Sequence, residues 1–121
     1  MEWLRVGAAG LLGVWGRMGL DRLTLALDWP APAGTFGVNA LGCLAAGFLL
    51  GVPSNLLSAE WRVPVMTGFL GGFTTYSAFS AQVVNFASRN ELGSALFYGI
   101  ATPTVAILAA WLGRTLSSQL F

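Results

Sequence analysis

Uncharged, apolar stretches dominate the chain and are separated by short charged clusters. No charged residue occurs from Val63 to Ser88 or from Leu92 to Gly113, and the run from Gly34 to Val52 is equally clean. A helix needs roughly 20 apolar residues to cross a bilayer. The pattern therefore predicts spans over about residues 4–20, 34–52, 63–88 and 92–113, in a single transmembrane domain covering residues 1–121. The first span is short and interrupted by Arg17, so it reaches across only if Arg5 and Arg17 extend toward the two interfaces. The connecting segments, "DRLTLALDWPAP", "PSNLLSAEWR" and "RNE", carry the turn formers and most of the charge. The N-terminal run lacks a cationic leader and is followed by further apolar segments, so it reads as a retained span.

Composition sharpens this to an all-α membrane protein. Of 121 residues 55% are hydrophobic and 9% charged, against about 25% charged in a soluble domain. Lysine and histidine are absent, which leaves little support for nucleic-acid binding or histidine chemistry. The single cysteine, Cys43, excludes an internal disulfide and reads as a small buried hydrophobe. With four spans, Arg5, Arg62 and Arg114 fall on one side and Arg17, Arg22 and Arg89 on the other. Three against three gives no orientation by the positive-inside rule. Either six residues carry too little signal, or the chain inserts both ways and pairs with an inverted copy.

Small residues predict close helix packing. Gly7, Gly10, Gly13, Gly16 and Gly19 recur every third residue in the first span, and Gly42, Ala46, Gly47 and Gly51 stand in the second. Such residues let helices touch backbone to backbone in lipid. The stretch "GFLGGFTTYSAF" (Gly68–Phe79) is less ordinary. A glycine pair followed by two threonines weakens a helix, and Gly72 is the position expected to supply conformational freedom there.

Polar side chains inside spans are expensive unless satisfied or useful. Thr35 and Asn39 share one face of the second span, Tyr98 and Thr102 one face of the fourth, and Tyr76, Phe79 and Ser80 one face of the third with Ser77 beside it. Hydroxyls can bond their own helix four residues back. The Asn39 amide cannot be satisfied so locally, leaving interhelical contact or a ligand as its uses. Pro103 invites a kink in the fourth span. No acidic residue falls within the span limits given above.

"GTFGVNALGCLAAG" (Gly34–Gly47) followed by "GFLGGFTTYSAFS" (Gly68–Ser80) resembles the CrcB/Fluc family of fluoride channels, and the likeness extends over nearly the whole chain. The resemblance implies a multi-pass protein of a prokaryotic cell membrane that passes fluoride out of the cell. It further implies an antiparallel, dual-topology dimer with two pores. The third helix would be broken mid-membrane, and backbone carbonyls matching Gly71 and Thr74 would hold a central structural sodium ion. Tyr76 and Phe79 would occupy the paired phenylalanine positions lining the fluoride path, where ring edges carry partial positive charge. Asn39, Ser77, Thr102, Tyr98 and Thr35 would supply neutral polar groups along it. No enzyme activity is implied.

The sequence departs from the family pattern at Tyr76, where phenylalanine is usual, at Gln82, where an acid is common, at Ala106 and at Leu44. These leave open whether the dimer is formed by identical chains or by two different ones. Two other classes remain. A small multidrug-type transporter shares the size and dual topology but needs a membrane-embedded carboxylate. A non-conducting membrane assembly protein would use Asn39 and the glycines for packing alone.

Overall fold

The computed structural model describes residues 1–121, and all of its regular structure is helical. Helix α1 spans Glu2–Ala26 and α2 spans Ala31–Gly51; α3 (Ala59–Val63), a π-helical segment (Pro64–Leu70) and α4 (Gly71–Phe73) follow one another end to end. Helix α5 spans Tyr76–Ser88 and α6 spans Leu92–Leu120. The chain thus makes four antiparallel passes, the third of them in two pieces.

Local chemistry sets the turns. Helix α1 closes with Asp28 in the left-handed region (φ 56°) and the Trp29 N–H donating to Thr24 O at 3.0 Å. Asn90 (φ 58°) and the Glu91 N–H, donating to Phe86 O at 2.9 Å, repeat that closure after α5. Pro30 and Pro32 open α2, where a missing N–H is harmless. Its C-terminal carbonyls are capped from outside: the Arg62 guanidinium donates to Leu49 O (2.7 Å) and Val52 O (2.6 Å).

Two glycine seams hold the passes together. Along α1, a methyl group at Gly13 would run into Phe69 O, and in α4 one at Gly72 would run into Gly10 O. Between α2 and α6, a methyl at Gly47 would strike the Ala110 backbone and one at Gly113 would strike Leu44 O. The α2 and α6 backbones therefore touch, as lipid-embedded helices need when dispersion rather than water drives their contact. Gly7 and Gly19 face nothing within the chain, so the three-residue repeat packs only along its centre.

Only 16 of 121 residues are buried, while Leu50, Val84, Phe97, Ile107 and Trp111 are all more than half exposed. An apolar exterior of this extent is covered by lipid or by another chain. Helices α2 and α6 are by themselves long and apolar enough to cross a bilayer. Helix α1 carries Arg17, Asp21 and Arg22 inside it, and the third pass is divided.

Several sequence expectations are revised. Helix α1 continues to Ala26, past Asp21 and Arg22, and α6 continues to Leu120, past Arg114. Asp21 is therefore an acid within a helix rather than in a loop. Arg17 does not reach toward an interface; its Nε donates to Gly72 O at 3.2 Å, because a carbonyl without a helical partner lies within its reach. Helical geometry persists through Gly71 (φ −63°, ψ −35°), and no glycine has positive φ. Gly72 is needed for its close approach to α1, not for conformational freedom. Helix α6 runs through Pro103 as one element.

Candidate ion path and helix break

Helical geometry stops after Phe73, and Thr74 (φ −81°, ψ 159°) and Thr75 (φ −148°, ψ 112°) are extended before α5 begins at Tyr76. Three side chains maintain this interruption. Asn39 pairs with Thr75 twice, its Nδ2 donating to Thr75 O (2.9 Å) and its Oδ1 accepting from Thr75 N (2.8 Å). Thr75 caps α5 by accepting the Ala78 N–H at 3.2 Å. Thr74 turns its hydroxyl back to Leu70 O (2.8 Å) and lays its methyl against Gly42.

These bonds sort the backbone groups at the break. In a continuous helix Gly71 O would accept from Thr75 N and Thr74 O from Ala78 N; Asn39 and Thr75 Oγ1 take both donors instead. Arg17 occupies Gly72 O, and Asn39 occupies Thr75 O. The carbonyls of Gly71, Phe73 and Thr74 have no donor within the chain, nor do the N–H groups of Tyr76 and Ser77 have an acceptor. Gly71 lies on an open face, since a methyl group added there would meet nothing within 4 Å. Oxygen ligands suit a hard cation, so the free carbonyls of Gly71 and Thr74 are of the right kind for sodium.

Beside the break is a cavity of about 250 Å³ whose lining includes Asn39, Cys43, Thr74, Tyr76, Phe79 and Thr102. No charged side chain borders it. Thr102 is 5% exposed, and its Oγ1 has no hydrogen-bond partner. Tyr76 and Phe79 meet edge to face with ring centroids 5.7 Å apart, and Phe79 leans on Tyr98 at 5.3 Å. Phe79 is buried whereas Tyr76 is 79% exposed, so the Tyr76 ring faces whatever covers this side of the chain.

Thr35 belongs to a second cavity of about 280 Å³, bordered also by Asp21, Thr24 and Gln82. Gln82 spans its inner wall. Its Nε2 donates to Thr35 Oγ1 (2.9 Å), and its Oε1 accepts from the Tyr98 hydroxyl (2.6 Å). The Tyr98 proton is thereby committed to Gln82, and Tyr98 borders neither cavity. Ser77 also borders neither; its hydroxyl lies 3.4 Å from Thr75 Oγ1 on the exposed side of the α5 N-terminus.

Five of the sequence candidates, Asn39, Thr74, Tyr76, Phe79 and Thr102, are thus brought to one cavity. Thr75, Gln82 and Arg17 were not singled out as site residues, although the residue order Thr-Thr-Tyr-Ser contains a helix-capping signal at Thr75.

Comparison with known proteins agrees with the motifs. Residues 4–114 match the family described as CrcB-like protein, Camphor Resistance (CrcB). A protein of Methylobacillus flagellatus named fluoride-specific ion channel FluC is 38% identical over 112 residues, covering 89% of this chain and 88% of its own length. One of Moorella thermoacetica, fluoride-specific ion channel FluC 2, is 35% identical over the full length of both. A third, from Acidobacterium capsulatum and also named fluoride-specific ion channel FluC, is 33% identical over 99% of this chain and 98% of its own length. With 111 of its 121 positions inside the family match and relatives of the same length, the chain is a member of the CrcB family of membrane proteins.

Proposed function

We propose that this protein is a fluoride-selective channel and not an enzyme, passing fluoride passively out of a prokaryotic cell across its cell membrane. The names of its relatives supply the ion. The observation that carries the reading is the charge-free cavity beside the break. There Asn39 keeps one amide hydrogen beyond its pairing with Thr75, Thr102 has an uncommitted hydroxyl, and Phe79 presents its ring. Neutral donors and ring edges attract a small anion without the binding strength of a full cation, and conduction requires release as well as entry. The unpartnered N–H groups of Tyr76 and Ser77 at the start of α5 add the positive end of a helix dipole. Thr35, Gln82 and the Tyr98 hydroxyl form a polar approach from the second cavity.

The break lies mid-membrane in this reading, and the chain works as an antiparallel, dual-topology dimer with one path in each half, formed by identical chains or by a closely related partner. The free carbonyls of Gly71 and Thr74 meet their counterparts on the two-fold axis and hold one structural sodium ion, a reading supported by the open face of Gly71. Sodium supplies the charge that satisfies carbonyls which neither water nor a helix reaches.

Purified protein in liposomes, with fluoride and chloride efflux read by ion-selective electrodes, tests the channel. Fluoride is expected to leave down its gradient and chloride to stay behind by orders of magnitude; equal rates would remove the reading. Helix α1 carries two carboxylates, Glu2 in its first turn and Asp21 deeper in the helix, and Asp21 stands in the position that a multidrug-type exporter would need. Retained fluoride efflux in Asp21→Asn separates the channel from proton-coupled export.

A further inference from the structure

We propose that Asp21 sets the rate of fluoride passage: its carboxylate stands as a fixed negative charge in the mouth of the second cavity and holds anions back there. The inference rests on the reading of that cavity as the approach to the ion path. Asp21 borders the cavity from α1, and every other residue of the lining is uncharged. The carboxylate is exposed and has no cationic partner, since the chain's one salt bridge joins Arg5 to Glu60. The arginines at this end of the molecule are occupied or aimed elsewhere. Arg17, one turn back on α1, donates to Gly72 O. Arg22 is the next residue, turned from Asp21 by about 100° of helix, and it does not border the cavity. Arg89, after the end of α5, donates to Asn85 O and lies over the Phe86 ring.

The same wall holds the feature that Asp21 opposes. The first turn of α2 reaches the cavity through Ala31, and a helix N-terminus favours negative charge. Asp21 is a tethered anion at that end, so an arriving fluoride meets a carboxylate where it would otherwise meet only a dipole and the Thr35 and Gln82 side chains. The cavity of about 280 Å³ is narrow enough that an ion at its centre lies about 6 Å from the carboxylate, where two unit charges in water repel enough to lower the local anion concentration roughly threefold. Repulsion of this kind acts on charge and not on size. It slows every monovalent anion alike and leaves the choice between fluoride and chloride to the cavity beside the break.

The test uses the full chain in liposomes, with a potassium ionophore balancing charge and the same fluoride load throughout. Initial fluoride efflux is measured in about 10 mM and in about 1 M potassium isethionate, where the screening length falls from about 30 Å to about 3 Å. Asp21→Asn should run about threefold faster than the original chain at low salt, and the ratio of the two rates should fall toward one at high salt. Asp21→Glu, which keeps the charge, should bring back the slow low-salt rate. Chloride should stay excluded in all three proteins. Equal or slower efflux in Asp21→Asn at low salt, a ratio indifferent to salt, or an Asp21→Glu protein as fast as Asp21→Asn would overturn the proposal. Chloride leaking through Asp21→Asn would overturn the claim that the residue acts on rate alone. An original chain and variants that all pass no fluoride overturn the channel reading itself, an outcome distinct from each of these.

Discussion

The Asn39 side chain pairs with the Thr75 backbone as one strand residue pairs with another, giving and taking a hydrogen bond at 2.9 and 2.8 Å. An amide is the only uncharged side-chain group that offers both partners in this geometry. The residue therefore holds the break open on one edge while one N–H remains for the cavity. Asn39→Asp keeps the acceptor for Thr75 N but sets a carboxylate oxygen against Thr75 O. Loss of the bond and repulsion between the two oxygens together should cost about 1–3 kcal/mol. Both Asn39→Asp and Asn39→Ala are expected to abolish fluoride efflux and to lower the melting temperature in detergent. Lost efflux with an unchanged melting temperature would assign Asn39 to the ion alone.

Gly42 and Thr74 form a second, separable contact. A methyl group at position 42 would collide with the Thr74 methyl, which is the nearest obstacle, while the Thr74 hydroxyl is bonded elsewhere. Gly42→Ala should therefore reduce flux and stability, and Gly42→Ala with Thr74→Ser should recover much of both. Thr74→Ser alone should be mild. A double mutant no better than Gly42→Ala would place the obstruction in the backbone.

The adjacent glycines of α4 should respond oppositely. A methyl at Gly72 meets Gly10 O, whereas one at Gly71 meets nothing in its own chain. Gly72→Ala should cost about 1–3 kcal/mol through overpacking and lower the expression of folded protein. Gly71→Val should leave the single chain folded, so any loss it causes reports on what covers that face. Size-exclusion chromatography and melting curves in sodium and in N-methylglucamine buffers check this. A sodium-dependent melting shift in the original chain that vanishes in Gly71→Val is the expected outcome.

Gln82 offers a fourth test. Gln82→Leu strands the Tyr98 hydroxyl and the Thr35 oxygen, and should lose about 1–3 kcal/mol for the unsatisfied groups. Gln82→Glu accepts from Tyr98 as before and reverses the Thr35 bond, so its melting temperature should stay close to that of the original chain. Equal destabilisation by both would show that the Gln82 bonds carry no stability.

Much of the helical layout was legible because apolar runs free of charge have few other solutions. The ends were less so. Asp21, Arg22 and Arg114 marked span limits in the sequence, yet a helix does not stop where its polarity changes, and α1 and α6 run on past them. The sequence places the break within the glycine pair and the two threonines that follow, since both weaken a helix. It falls at the threonines, where Thr75 caps and Asn39 supplies the missing partners, while the glycines serve contact with α1. The gathering of Asn39, Phe79 and Thr102 around one cavity followed from helix faces and the family motif. The bridge from Thr35 through Gln82 to Tyr98 joins three helices, and no spacing within one helix could announce it.

The bond from Arg17 to Gly72 O changes how the chain is read during insertion. A half-buried arginine tied to a backbone carbonyl is withheld from either face, so the tally becomes Arg5, Arg62 and Arg114 against Arg22 and Arg89. Arg5 stands beside Glu60, which belongs to the same face. The two faces then differ by one residue, a margin too small for the positive-inside rule to impose a single orientation. One arginine added near Asp28, or removed at Arg114, makes the count level, and two arginines added near Asp28 reverse it.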